Sequence, residues 1–375
     1  MRTPLRGVVG IGLACLLLST YVSNAQKVDL DKSQYEIQCI QFPSEYVAPD
    51  QRTFGVRVEA TPVISDVYSP DAIYQKIGVS GYQKVEKSPT VGITITLNDF
   101  RFSRSEVESR TEEVKDRNGK VTGTNYYYRI VATYDGRGNY VVKGPKANAT
   151  AKTKTEAPAN RFLTKASSDA ADASISTVID AGLLRSLTYR SGEYRSAVDA
   201  SAAFRAGQDA VRRNLLNDYV NQCINTVNYR VSELYGYIPV TNREHLWILD
   251  SDKHPEYTVQ QEAIKAVVTL TKTMKATEPL TQLSTDMQPL IEYFDSLKSK
   301  YTKDEKADRK MRYSAYFNLA RIYLLLDQPD KAIAEANGLI KNDYDTKDGE
   351  RIIEEAEKLK QQLAFHHTAE RHMKL

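Results

Sequence analysis

The chain has 375 residues, of which 26% are charged and 41% fall in the AVILMFWYC set, and its mean hydropathy is -0.49. These values exclude a polytopic membrane protein, a collagen-like chain and a wholly disordered one, and the length points to two or three domains. Tyrosine is over-used, 24 against 9 Phe and 1 Trp, which suits half-exposed strands and binding surfaces where the ring packs and the hydroxyl stays wet.

Residues 1–25 read as an export signal. Arg2 and Arg6 start it, Val8 to Leu18 form an apolar run, and Ser23-Asn24-Ala25 place small residues before a cut ahead of Gln26. The run falls well short of the roughly 20 apolar residues of a spanning helix. Leu16-Leu17-Leu18 carry the run past Cys15, which argues for cleavage before Gln26 over lipidation at that cysteine. After cleavage 49 basic residues face 48 acidic ones, a balance that speaks against a nucleic-acid or polybasic membrane role. An oxidising compartment leaves a Cys39–Cys223 disulfide open. However, Cys39 follows Tyr35 and Ile37 at strand spacing, and Cys223 lies on the helical stripe Val211, Leu215, Tyr219, Cys223, Val227, so both read as ordinary buried thiols.

Residues 26–165 are predicted to form a Tyr-rich antiparallel β domain. Val91, Ile93, Ile95 and Leu97 alternate with small polar residues at the period of a half-buried strand. Phe100 to Glu113 and Lys120 to Tyr134 flank Asp116-Arg117-Asn118-Gly119, a strong hairpin signal. A second turn is expected at Asp135 to Asn139, and one short helix near Pro70 to Lys76. Lys143 to Lys165, basic and rich in Thr, Ala and Pro, reads as a linker or solvated edge. Asn148-Ala149-Thr150 is a glycan acceptor pattern only in a eukaryotic secretory pathway.

From about residue 168 the period becomes helical. Residues 166–255 are predicted as linker and long amphipathic helix, Gly192 to Leu234, ended by Gly236 and Pro239. Further helices are expected over 256–276, 280–300, 307–326, 329–341 and 348–363, with 365–375 a frayed tail. In the last helix Ile352, Ala356, Leu359 and Leu363 make the single apolar face of a capping element. The fold class expected is α+β, an N-terminal antiparallel β domain followed by an α-helical domain.

Tyr316, Leu319, Ala320, Tyr323, Ala332, Ala336 and Leu339 stand at the spacing of the tetratricopeptide repeat, and Tyr316 to Tyr323 is similar to its first helix. Ala320 and Ala332 fall where the two helices cross and only a small side chain fits. The resemblance covers 256–364, with one good repeat and one partial one around Leu290, Phe294 and Leu297. Pro279 and the charged Lys298 to Lys310 break the period, and Tyr344 replaces the usual terminal proline. The whole layout resembles uncharacterised secreted Bacteroidota proteins, which implies a periplasmic or outer-membrane-associated envelope location and no activity.

GxxxxGK[ST], GxSxG, HExxH and CxxC motifs are missing from the sequence. His245 and His254 are expected at the surface. His366, His367, Glu370 and His372 cluster in the tail, where fraying is a better expectation than a metal site. No catalytic, cofactor or metal residue is assigned. Two functions follow. The favoured one is a non-enzymatic scaffold that binds an envelope protein or peptide through the helical region. The alternative is a glycan-binding module or hydrolase in the β domain, with Tyr126, Tyr127 and Tyr128 stacking on sugar rings. The resemblance implies that the first repeat helix lines the concave face with Ser314, Phe317, Asn318, Arg321 and Leu324. Asn318 and Arg321 would hold a carboxylate, and Phe317 and Leu324 an extended peptide. The competing expectation packs Phe317 and Leu324 against the 280–300 helix and pairs Arg321 with an acid.

Overall fold

The structure, a computed structural model, describes residues 28–146 and 176–375. The predicted export segment, with Cys15, and Asn148-Ala149-Thr150 with most of the predicted linker, lie outside the described residues. The strands are β1 (Leu30–Gln41), β2 (Thr53–Ala60), β3 (Gln83–Lys84), β4 (Val91–Lys115), β5 (Val121–Gly144), β6 (Ser176–Gly182), β7 (Arg185–Arg190) and β8 (Ile238–Leu249). The helices are α1 (Pro62–Ser65), α2 (Pro70–Lys76), α3 (Ala197–Tyr235), α4 (Tyr257–Thr273), α5 (Thr281–Lys300), α6 (Lys306–Leu325), α7 (Pro329–Lys341) and α8 (Thr346–Phe365). The class is α+β, and no helix among the described residues is long and apolar enough to cross a membrane.

One half is a sheet ordered β3-β2-β4-β5-β6, with β7 also on β5. Its pairs are antiparallel except that β2 runs parallel to β3 and β4. Val91, Ile93, Ile95 and Leu97 are buried as their alternation requires. The β4–β5 turn closes through Asp116, whose carboxylate accepts from the amides of Asn118 and Lys120, with Gly119 at φ +80°.

The turn expected at Asp135 to Asn139 does not form, and β5 runs straight through it. Gly136 serves a close approach instead, since a Cβ there would lie 2.4 Å from the Tyr219 ring of α3. Farther along, a Cβ on Gly144 would meet the Tyr235 hydroxyl at 2.5 Å. These two contacts are about 26 Å apart along the strand and about 24 Å apart along the helix, so α3 runs beside β5 in the same direction. Ser196 starts α3 by accepting from the amides of Val198 and Asp199, and Gly236 follows its end. Phe204, Leu216, Val220, Val227 and Val231 complete the buried face.

Described residues on both sides of the boundary expected at residue 165 contribute to one hydrophobic core. Region 166–255 supplies β6, β7 and α3 to the sheet half, and its last strand to the other half. β1, expected in the sheet, pairs with β8 instead, from Leu30↔Leu249 to Gln41↔Ile238. This ribbon packs on α4 to α8. Ala320, Ala332, Ala336 and Leu339 are fully buried between α6, α7 and α8, Leu319 is fully buried in the core with α4 and α5, and Gly338 leaves room for the Tyr316 ring, which a Cβ would approach to 2.3 Å.

Tyr237 joins the halves. Its amide donates to Ser80, the Arg52 guanidinium stacks on its ring at 3.9 Å, and its hydroxyl lies 3.3 Å from His366 Nδ1. The tail expected to fray is packed. His366 Nε2 contacts the Pro43 carbonyl at 3.0 Å, Glu370 accepts from the Leu280 amide, and Arg371 bonds the Asp327 carboxylate through its amide and Nε. The Asp327 side chain is 0% exposed. Cys39 and Cys223 are free buried thiols, and burial pushes Cys223 up to about 11.

Candidate partner-binding surfaces

Ser314, Phe317, Asn318, Arg321 and Leu324 share the face of α6 that the repeat resemblance implies, but every one of them is buried. What covers them is the chain's own extended segment. Asn318 Oδ1 accepts from the Trp247 amide and Asn318 Nδ2 donates to the Trp247 carbonyl, both at 2.8 Å. Phe317 packs on His245 and Trp247, with ring centroids 5.2 and 5.9 Å apart. Arg321 pairs with Glu355 of α8 at 2.8 Å and with Glu244 of β8 at 3.4 Å. Phe317 and Leu324 join the core with α7 and α8, not the packing against α5 that the competing reading expected. Ser314 donates back to the Met311 carbonyl within its own helix. The groove-like face of α6 is thus filled by β8, and these five residues act as core groups.

The ribbon's outer edges are closed in the same manner. The Leu249 amide donates to Gln260 Oε1 and its carbonyl accepts from Gln261 Nε2, both side chains from α4. On β1, the Ile40 amide donates to the Arg371 carbonyl, and the Gln38 carbonyl lies 2.7 Å from His372 Nε2. Unpaired backbone groups on a strand edge invite another chain, and here the helices and the tail meet that need.

The distal part of β4 and β5 is the opposite case. From Arg101 to Thr124 every residue is exposed apart from the half-buried Glu108. β2 leaves β4 at Leu97, and past the Tyr128–Tyr194 bridge β5 has no outer neighbour among the described residues. Beyond that bridge the hairpin projects about 20 Å. Tyr128 exchanges both backbone bonds with Tyr194, and Ile130 turns to Ser191, so both face away from β4. Opposed residues in an antiparallel pair alternate between bonding each other and turning outward. Hence Ser109 and Val107, opposite them, and Ser105 and Thr111 in step, aim their backbone groups at open space. They have no backbone partner there among the described residues. Phe102, Val107, Val114, Val121 and Tyr126 are large apolar side chains left exposed along this arm.

The tyrosines expected to stack on sugar do not form one platform. Tyr126 is 54% exposed on one face. Tyr127, on the other, lies under the guanidinium groups of Arg110 and Arg195, each 4.3 Å from its ring. Tyr128 packs against the sheet core. Arg110 is itself held by a two-point contact with Glu193.

A cleft of about 800 Å³ opens between the halves, lined by Phe42, Ser44, Tyr140, Ile179, Arg230 and Glu233 among others. Its charged groups satisfy each other. Arg230 bonds Glu233 at 3.0 Å, and Tyr229 and Arg230 together hold that carboxyl below its usual range. No cluster of three metal-ligating side chains occurs among the described residues. The histidines expected at the surface are structural. His254 is buried and accepts from the Glu256 amide, and burial pushes His245 down to about 4. His366 is likewise pushed down to about 4 by burial, with the Pro43 carbonyl opposing the shift.

No family model, curated protein or solved structure matches this chain. The open strand edge was not singled out from sequence. Its signal was the Phe100 to Tyr134 region itself, too long for a sheet of this size and carrying Arg104, Glu106, Glu108, Arg110 and Glu112 on one alternating face.

Proposed function

We propose that the protein is an exported, non-enzymatic scaffold of the cell envelope that binds protein chains by strand addition along the β4–β5 arm. The export reading rests on the N-terminal sequence, and the envelope location on the resemblance to secreted Bacteroidota proteins. One observation carries the binding surface: β4 from Ser105 to Thr111 offers a row of outward backbone groups with no partner among the described residues. In strand addition, backbone bonds supply affinity and the alternating side chains supply selectivity. The helical region, with its tetratricopeptide-like α6–α7 hairpin, serves as a rigid base whose groove is already occupied by β8.

The test is capture from native envelope extract by the full chain and by an arm-shortened chain. Replacing Thr111–Tyr126 with Asn-Gly joins Arg110 to Tyr127, which are directly opposed, and keeps the Arg110–Tyr127–Arg195 stack. Loss of the captured protein in the shortened chain, with unchanged melting, is the expected result. Retention of capture both in the shortened chain and in Val107→Pro, which removes an outward amide that the shortened chain keeps, contradicts the proposal.

A further inference from the structure

The charge order along β4 narrows the partner. Arg104, Glu106, Glu108, Arg110 and Glu112 alternate onto one face of the arm. They lie within the uninterrupted register bounded by the bulges at Phe102/Arg104 and Val114/Lys115. Arg104 and Glu106 form no ion pair among the described residues. Arg110 is shared by Glu193 and, at 3.5 Å, Glu112.

Resting on the strand-addition reading, we propose that the β4 edge pairs antiparallel with the β4 edge of a second copy, about a two-fold axis at Glu108. Outward residues must meet outward residues for backbone bonds to form, which restricts the pairing to alternate registers with the five charged residues at the close, non-bonded positions. Centred on Glu108, Arg104 meets the second copy's Glu112 and Glu106 meets its Arg110, each twice by symmetry. Glu108 meets its own copy at the axis, where each carboxylate carries a countercharge already, Arg129 at 2.5 and 2.8 Å. The neighbouring registers are worse. Centred on Val107, Arg104 would meet Arg110 and Glu106 would meet Glu108. Centred on Ser109, Glu106 would meet Glu112. Centred on Glu106, only the Arg104–Glu108 pairing is favourable and Glu106 meets itself. Like charges directly opposed destabilise a sheet pair, and unlike charges support it. The same pairing brings Val107, 46% exposed, beside the second copy's Ser109 and closes both open edges at once, as a two-fold interface does.

Charge-swap mixing with the full chain tests this. Arg104→Glu alone sets Glu against Glu112, and Glu112→Arg alone sets Arg against Arg104. Each variant is expected to weaken self-association about tenfold or more at low salt in sedimentation velocity. An equimolar mixture of the two restores it, because both cross-strand pairs are again opposite in sign. As an independent readout, Glu108→Cys should form an intermolecular disulfide about tenfold faster than Glu106→Cys, since only residue 108 faces its own copy within disulfide reach. Cys39 and Cys223 are buried and do not compete. A chain that stays monomeric at every concentration overturns the proposal. So does self-association that mixing fails to restore, or equal cross-linking at 106 and 108. A monomeric chain whose capture still depends on the arm would overturn the second copy as partner and leave strand addition standing.

Discussion

Two strand edges in this molecule have opposite fates. β8 presents its outer backbone groups to the helices, where Asn318, Gln260 and Gln261 take them up. β4 presents a longer row to open space. The difference lies in the facing chemistry: amide side chains bond both a backbone donor and a backbone acceptor, so a helix bearing them can close a strand edge. The β4 edge instead carries charge of both signs, which keeps it soluble and selects what pairs with it. A repeat-like face is therefore not a free groove merely because its pattern is right, and a solvated hairpin is not idle merely because it is charged.

The largest effect that sharpens this contrast comes from the clasp beneath the ribbon. Arg371→Ala leaves Asp327 buried without its main countercharge and is expected to cost about 3–5 kcal/mol by urea denaturation. Arg104→Ala on the arm should stay within about 0.5 kcal/mol of the parent. Equal effects would break the contrast between a committed and an uncommitted edge.

Acid gives the next effect. His366 titrates at about 4 when folded against 6.5 as its ordinary value, so the unfolded state binds more protons between these limits. The contribution is fully present above about pH 6.5 and is lost as pH falls toward 4, on the order of 2–3 kcal/mol in all. His245 shifts in the same direction and steepens the loss. Urea midpoints measured across this range should fall with acid, and His366→Phe should flatten the slope.

Asn318→Ala removes both side-chain bonds to Trp247 and should cost about 2 kcal/mol in the same assay. A negligible cost would mean water reaches the groove. Tyr126→Ser, on the exposed face of the arm, is the smallest change and should leave the melting temperature unaltered.

Helices α4 to α8, α2 and the inward residues of β4 were legible because their periods are dictated by one buried face each. β8 was not, since Pro239 and the run Thr241 to Glu244 mask its alternation. Apart from Gln260 and Gln261 at its end, its bonding partners lie far away in sequence, in β1 and α6. The Gly136-Arg137-Gly138 segment signals a turn and a close helix approach equally well, and only the Tyr219 ring decides between them. Ser314, Phe317, Asn318, Arg321 and Leu324 share one buried face of α6, but a local pattern carries no information about which distant strand lies across it. The tail was misjudged for the same reason: Asp327 and Gln38, which hold it, are remote in the chain.

Hydrogen–deuterium exchange on the full chain at graded dilution tests the central claim most directly. The amides of Trp247 and Leu249 should exchange at the slow rate of the core at every concentration. Those of Ser105, Val107, Ser109 and Thr111 should exchange rapidly in dilute protein and slow as concentration rises. Rapid exchange at Trp247 together with concentration-independent protection of the arm would contradict the account, because the groove would then be the open surface and the arm the closed one.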